Sequence, residues 1–318
     1  MKAVVYSKYG SPDVLKEVEI ETPKPGAAEV LLKLHATSVN ASDWEGLTGK
    51  PFYARIGGLL KPRQSILGSD MAGVVEAVGS DVTEYQLGDA VFGNSMTKLG
   101  GFAEYACIAE ADIAAKPADI SFAQAATLPQ AATVALQAVR DKGKTKAGTK
   151  MLINGAGGAV GTFAIQIAKS LQADITVVDA ASKLAFLREL GANHVVDYAK
   201  EDFTHFDNKF DLILDVIGNR SISDLSRALS PDGIYTVVGG RILPALFAGS
   251  WVSLTSKKSM GVFVWKPNKD DLIHVAQLCA EGSLKPHVDK QYTLGDTSEA
   301  LRAIGECRTH GMGVVVFD

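Results

Sequence analysis

Apolar and polar residues alternate in short runs over the first third of the chain, as half-buried strands require. Met1-Lys2-Ala3-Val4-Val5-Tyr6, Glu29-Val30-Leu31-Leu32-Lys33-Leu34, Gly73-Val74-Val75-Glu76-Ala77-Val78 and Phe102-Ala103-Glu104-Tyr105-Ala106 read this way. Turn chemistry at Pro23-Lys24-Pro25-Gly26, Gly79-Ser80-Asp81 and Gly88-Asp89 separates them. From about Ser121 strands alternate with helical patterns. Met151-Leu152-Ile153-Asn154 is a buried-strand run, and after it Val160, Phe163, Ala164, Ile167, Ala168 and Leu171 recur at helical spacing. Ile175-Thr176-Val177-Val178 follows, then a helix from Lys183 to Leu190 that Gly191 stops. Strands at His194–Asp197, Asp211–Val216 and Ile234–Val238 continue the series. Strands separated by helices predict a doubly wound parallel sheet. The tail, with a helix over Asp271–Ala280 and a strand over Gly313–Phe317, lacks that rhythm and suits a return to the first domain.

The strand-to-helix junction Asn154-Gly155-Ala156-Gly157-Gly158-Ala159-Val160-Gly161 is the strongest local motif. Dinucleotide binding needs glycine there for a tight turn, for backbone approach to a pyrophosphate and for close helix packing. The helix start then offers N–H groups and a positive dipole end to the phosphates. A glycine-rich structural turn is the alternative. Asp179, at the end of the next strand, is placed to accept from an adenosine ribose and to repel a 2′-phosphate, or else to cap the following helix. Lys183, one turn on, offsets that repulsion, so both NADPH and NADH stay open. Loops after two further strands, Val216-Ile217-Gly218-Asn219 and Val238-Gly239-Gly240-Arg241, fall at strand carboxyl ends, where open α/β sheets bind ligands.

Composition narrows the classes. The 318 residues exceed what one hydrophobic core supports well, which favours two domains. Cys107, Cys279 and Cys307 are too sparse for a secreted disulfide framework and form no CxxC pair for structural zinc. A net charge of −4 gives no basic footprint for nucleic acid. No signal peptide and no apolar run near the ~20 residues of a membrane span is present, so a cytoplasmic location is expected. The histidines, His35, His194, His205, His274, His287 and His310, are dispersed without metal-ligand spacing, which suits structural or surface roles.

Seven segments in order resemble the zinc-free, quinone oxidoreductase-like branch of the medium-chain dehydrogenase/reductase superfamily, the branch of zeta-crystallin. They are Ser38-Val39-Asn40-Ala41-Ser42-Asp43, Leu67-Gly68-Ser69-Asp70-Met71-Ala72-Gly73-Val74-Val75, Gly88-Asp89-Ala90-Val91-Phe92-Gly93, Gly100-Gly101-Phe102-Ala103-Glu104-Tyr105, Leu128-Pro129-Gln130-Ala131-Ala132-Thr133, the glycine turn and Leu190-Gly191-Ala192-Asn193-His194-Val195-Val196-Asp197-Tyr198. The resemblance spans essentially the whole chain. It implies a GroES-like β-rich catalytic domain over 1–120 and 267–318, a Rossmann domain over 121–266, and an active site in the cleft. Zinc-dependent relatives carry Cys where this chain has Asn40, Gly-His-Glu where it has Gly68-Ser69-Asp70, and a later Cys near Pro129. Their four-cysteine structural lobe is also missing. Zinc prefers a Cys/His set that these replacements do not supply, so no metal is expected.

Without a Lewis acid, an already electrophilic quinone or conjugated enone needs only positioning and a hydrogen bond to its oxyanion. The resemblance places Asn40 and Asp43 on the nicotinamide-facing side. Asn40 either donates to a substrate carbonyl, holds the nicotinamide amide, or serves as a turn cap. Asp43 either touches substrate or caps a helix beginning at Trp44. Thr133 matches a threonine beside the nicotinamide ribose, or is an ordinary buried helix residue. Tyr53 is a candidate proton donor, although relatives carry their tyrosine where this chain has Glu45 or Pro51. The segment Phe52 to Gln64, with Arg55, Gly57-Gly58, Lys61 and Arg63, reads as a lid or as a solvated basic loop. Gly261-Val262-Phe263-Val264 is expected as a sixth strand whose pairing with a second copy makes a homodimer, with Phe263 near the cofactor. Relatives end with Gly-Lys where this chain has Met312-Gly313, so that lysine's contact is lost.

The leading expectation is an NAD(P)H-dependent reductase of quinones or α,β-unsaturated carbonyls, with a small-molecule substrate and neither nucleic acid nor membrane as partner. A zinc-free alcohol dehydrogenase or carbonyl reductase is the second reading. A nucleotide-binding protein without turnover is the third.

Overall fold

The computed structural model describes residues 1–56, 58–240 and 242–317, so Gly57 of the predicted lid and Arg241 of the second predicted loop lie outside the described residues. The fold has two compact units, one of residues 1–133, 267–282 and 286–318, the other of 134–266 and 283–285.

In the first unit, β1 (Lys2–Val5) and β2 (Lys16–Glu19) form a two-stranded antiparallel ribbon. β3 (Glu29–Ser38), β4 (Asp70–Val78), β5 (Ala90–Asn94), β6 (Tyr105–Ala109) and β7 (Ile113–Ala115) build most of the larger sheet. The apolar alternation of β3 and β4 puts Val30, Leu32, Leu34, Met71 and Val75 into a buried cluster with Val91, Ile108 and Ile113. Burying these side chains at about 25 cal/mol per Å² of apolar surface drives the unit together. β6 starts three residues later than the sequence places it. Phe102 donates its N–H to Leu67 O and accepts from Val4 N, so it turns into the core, and pairing with β3 begins at Tyr105 opposite Lys33.

The second unit holds β8 (Lys150–Asn154), β9 (Asp174–Asp179), β10 (His194–Asp197), β11 (Phe210–Asp215), β12 (Leu229–Val237) and β13 (Ser259–Val262), in the order β10-β9-β8-β11-β12-β13, all parallel. Their near-continuous apolar runs fit a sheet buried on both faces. The sixth strand sits two residues earlier than expected because its ladder ends where β12 ends, at Val262 opposite Val237.

The tail returns to the first unit, as its change of rhythm predicts. β14 (Val288–Tyr292) pairs β15 (Met312–Val316), and β15 pairs β3. The helix Lys269–Ala280 begins two residues before the expected start because Asn268 caps it, accepting from Asp271 N. Residues 121–133 belong to the first unit rather than to the Rossmann domain. Phe122 stacks on His35 of β3 with ring centroids 4.4 Å apart, and Gln130 N reaches Asp70 of β4. Among the described residues no helix is long and apolar enough to cross a membrane.

Candidate functional site

The glycine turn joins β8 to the helix Ala159–Ser170. Gly155 sits at φ +81°, where an L side chain is strained. At Gly161 an added Cβ would lie 2.4 Å from Ala156 O and 2.5 Å from Ala156 Cα, so only glycine lets the helix pack this close. The Gly158 N-cap is different, since a Cβ there would meet only Gly155 O at 3.8 Å. The first helical bond runs from Thr162 N to Gly158 O, leaving the N–H groups of Ala159, Val160 and Gly161 at the helix start. An open backbone face beside unspent N–H groups fits a pyrophosphate.

Asp179, the last residue of β9, is buried and already engaged. Its Oδ2 accepts from Gly157 N at 2.6 Å and its Oδ1 from Ala180 N at 2.8 Å, so it braces the turn rather than capping the helix after it. Lys183 Nζ lies 4.0 Å from Asp179 Oδ1, and both side chains are almost fully buried. The stem of Lys183 and the Asp179 carboxylate pack over Gly157, where a Cβ would come within 2.4 Å of Lys183 Cδ.

Asp215, at the end of β11, organises the neighbouring loops and is fully buried. Its Oδ1 accepts from Asn154 Nδ2 (2.9 Å), Ile217 N (3.0 Å) and Gly218 N (2.9 Å), and its Oδ2 from the Tyr235 hydroxyl (3.1 Å). Val216 N donates to Asn154 O and Val238 N to Asp215 O, so both loops hang from these strand ends. Phe263 N donates to Val237 O at the next strand end. Gly155 to Gly161, Asp179, Val216, Gly218, Val238, Gly239, Gly240 and Phe263 thus share one carboxyl-end edge of the parallel sheet. Asp215 and Tyr235, which with Asn154 of the glycine motif hold that edge together, escape the sequence reading because polar residues inside strands carry no local motif.

The candidate catalytic residues all lie in the first unit. The helix after β3 runs Ala41–Thr48 with Asn40 as N-cap, so it starts three residues before the expected Trp44. Asp43 is therefore in its first turn. Its Oδ2 accepts from Asn40 N (2.8 Å) and its Oδ1 from Gly68 N (3.0 Å), which joins the helix start to the chain entering β4. Burial raises its carboxyl to about 7, against those two stabilising N–H bonds.

Asn40 and Asp43 close a capping box at this helix start, and the Asn40 amide also reaches beyond it. Its Nδ2 donates to Ser38 Oγ (3.1 Å) and to Asp70 Oδ2 (3.0 Å). Asp70 has no exposed surface. Its Oδ2 also accepts from Ser38 Oγ (3.1 Å) and Gln130 N (3.3 Å), and its Oδ1 from Asn94 Nδ2 (2.5 Å). Desolvation raises its carboxyl to about 6 against the pull of these donors.

Tyr53 donates its hydroxyl to Glu45 Oε1 at 3.1 Å. Burial, and then the nearby Glu45, push that phenol up to about 12, while burial raises Glu45. The phenol proton thus faces the Glu45 carboxylate. Thr133 donates its hydroxyl back to Pro129 O (2.5 Å) and Gln130 O (3.3 Å) and is buried. Among the described residues no group of three or more His, Cys, Asp and Glu side chains is placed to hold a metal ion.

Residues 26–118 match the alcohol dehydrogenase GroES-like domain family, and residues 190–315 match the zinc-binding dehydrogenase family. An NADPH-dependent alkenal/one oxidoreductase, chloroplastic, of Arabidopsis thaliana is 34% identical over 91% of this chain and 72% of its own length. A chloroplastic quinone-oxidoreductase homolog of Spinacia oleracea is 32% identical over 100% of this chain and 98% of its own. The solved quinone oxidoreductase from Coxiella burnetii superposes with a TM-score of 0.89 at 28% identity, covering 100% of this chain and 99% of that one. On these full-length likenesses, the chain belongs to the medium-chain dehydrogenase/reductase superfamily, in its zinc-free, quinone oxidoreductase-like branch.

Proposed function

We propose that this protein is an NAD(P)H-dependent oxidoreductase that reduces a quinone or an α,β-unsaturated carbonyl without a metal. The observation that carries the reading is the strand-end edge around Gly155–Gly161, where bare backbone and a helix start offer a phosphate site. Bound NAD(P)H supplies the hydride. Ala159, Val160 and Gly161 present N–H groups to the pyrophosphate, and Asp179 with Lys183 meets the adenosine end. The loops at Val216 and Gly218 and at Val238 to Gly240, together with Phe263 and Thr133, flank the rest of the cofactor. Asn40 lies at the nicotinamide end, Asp43 holds Asn40 and Gly68 in register, and Tyr53 supplies a proton to the reduced acceptor. The metal-free part rests on donor chemistry. Asn40, Ser69, Asp70 and Pro129 stand where zinc would want sulfur and imidazole, and Asn40 and Asp70 are spent on each other.

The test is NADH or NADPH consumption by the purified protein with a quinone, an enone and a simple ketone. Quinone or enone turnover is expected. Consumption with the ketone alone would give the alcohol dehydrogenase reading, and binding without turnover the non-catalytic one.

The proposal includes a homodimer and a cytoplasmic location. β13 is an edge strand, and the helical turns before it expose Phe247 (71%), Trp251 (69%) and Leu254 (82%), a surface suited to a second copy. Light scattering tests the dimer. Fractionation tests the location, against the chloroplast forms among the relatives.

A further inference from the structure

Between the helix Ala41–Thr48 and β4, the first unit carries a surface segment with its polar groups turned inward and its apolar ones outward. Tyr53 donates to Glu45 Oε1 (3.1 Å), Arg55 Nε to Gly49 O (3.0 Å), the Tyr9 hydroxyl to Gly58 O (2.6 Å) and Gln64 Nε2 to Thr97 O (3.4 Å). The Arg55 guanidinium also lies over the Tyr9 ring, 4.7 Å from its centroid. Phe52–Arg55 form a 3₁₀ turn, and Ile56 N and Gly58 N donate to Tyr53 O and Arg55 O. A Cβ on Gly58 would lie 2.1 Å from Lys61 O, so the chain doubles back tightly there and carries Leu59 and Leu60 at the tip. Phe52, Ile56, Leu59 and Leu60 are left 71, 87, 60 and 90% exposed. A lone exposed leucine is ordinary, but four large apolar side chains within nine residues mark a surface that something covers.

The charge around this patch has one sign. Lys50, Lys61 and Arg63 are exposed on either side of it, and Lys8, next to Tyr9, is exposed as well. No acidic residue occurs between Glu45 and Asp70, in a chain that has more acids than bases overall. Those two acids are spent inside, Glu45 on the Tyr53 hydroxyl and Asp70 in its buried network. A protein partner usually takes about 20–30 residues a side, more than this short turn offers. An apolar tip with cations at its base instead matches the depth order of a lipid surface, where acyl chains lie beneath charged headgroups. We propose that Phe52, Ile56, Leu59 and Leu60 form a membrane-surface anchor, with Lys50, Lys61 and Arg63 meeting the headgroups of anionic lipids. A surface anchor needs no spanning helix, so the lack of one among the described residues does not bear on it.

The experiment is co-sedimentation of the full chain with vesicles of phosphatidylcholine alone and of phosphatidylcholine mixed with phosphatidylglycerol. The native protein should bind the mixed vesicles, bind the neutral ones far more weakly, and come off when salt rises to about 1 M, where the screening length is about 3 Å. Lys61→Glu combined with Arg63→Glu should weaken binding to mixed vesicles at least thirtyfold, since each lost cation is worth about fivefold. Leu59→Ser combined with Leu60→Ser should weaken it tenfold or more, by keeping the tip in water. Phe247→Ser combined with Trp251→Ser, exposed apolar residues of the second unit, should bind as the native protein does. Circular dichroism checks that each pair folds, and if a pair does not, the native protein's dependence on lipid charge and salt still decides. Native protein that ignores the mixed vesicles, or binds neutral vesicles equally well, overturns the proposal. So does loss of binding in the Phe247 and Trp251 pair with none in the other two. A fall in the mass of the protein by light scattering in the Leu59 and Leu60 pair, with no vesicle binding by the native chain, would give the patch to a second copy and overturn it too. No dinucleotide or acceptor is present, so any of these failures leaves the proposed function standing.

Discussion

Asp179 accepts the backbone N–H of Gly157 at 2.6 Å, so the acid ending the second Rossmann strand holds the turn that follows the first. One carboxylate therefore shapes the glycine turn and, on the proposed function, also sets the charge beside the adenosine ribose.

Replacing it separates those duties. Asp179→Ser should weaken both cofactors, since a charge-assisted bond to Gly157 contributes about 1.5–3 kcal/mol. It should also raise the NADPH/NADH ratio of kcat/KM, because the repelling charge is gone while Lys183 stays. Steady-state kinetics with both cofactors reads the two effects. A ratio that does not move would leave Asp179 with its bracing duty alone.

Two glycines three residues apart, Gly158 and Gly161, should give opposite signatures. Gly161→Ala drives a Cβ to 2.4 Å from Ala156 O, backbone that cannot yield cheaply, and overpacking of this kind costs about 1–3 kcal/mol. Its melting temperature should fall by several degrees. Gly158→Ala meets only Gly155 O at 3.8 Å, so its melting temperature should hold while its cofactor Kd rises. Thermal melts and binding titrations on the pair check this directly.

The buried acids predict how stability varies with pH. Burial raises Asp43 from 3.8 to about 7, so between those values the unfolded chain releases a proton that the folded chain keeps. The stability from this group is complete below about pH 4 and is lost as pH climbs towards 7, at up to about 1.4 kcal/mol per pH unit. Asp70, raised to about 6, adds a slope of the same sign below its own value. Denaturant unfolding at pH 5 and pH 7.5 should show a smaller difference for Asp43→Asn than for the native protein. Equal differences would mean that Asp43 titrates normally.

Tyr53→Phe should lower kcat on an enone by at least tenfold with little change in KM, if its hydroxyl protonates the reduced product. Glu45→Gln should alter the pH profile of that same step, because Glu45 takes the phenol's hydrogen bond. An unchanged kcat in Tyr53→Phe would leave the ring packing against Glu45 as its whole contribution.

What could be read beforehand follows from how local each signal is. β8 and its glycine turn are contiguous, and Met151, Leu152 and Ile153 are fully buried, so their apolar run is visible in one short window. The Asp70 network is built otherwise. Its partners Asn40 and Asn94 lie 30 and 24 residues from it and are brought in by the pairing of β3, β4 and β5, while Gln130, 60 residues on, comes from the helical turn Leu128–Ala132. Nothing near Asp70 marks it as a buried hub. The same holds for Asp215, 61 residues from Asn154. Boundaries shifted where a side chain overrode the periodic pattern, as at Phe102, which turns into the core and delays β6, and at Asn268, which starts its helix early.

Asp215 collects four donors from one strand end, one loop and one tyrosine. The amide protons of Ile217 and Gly218 are therefore locked before any ligand arrives, although Ile217 itself is 41% exposed. Hydrogen–deuterium exchange on the ligand-free protein should find these two loop amides nearly as slow as the strands, and Asp215→Ala should release both at once. A rim set in advance loses little conformational entropy when a cofactor docks, so its affinity depends on the quality of its contacts and not on the ordering of its loops.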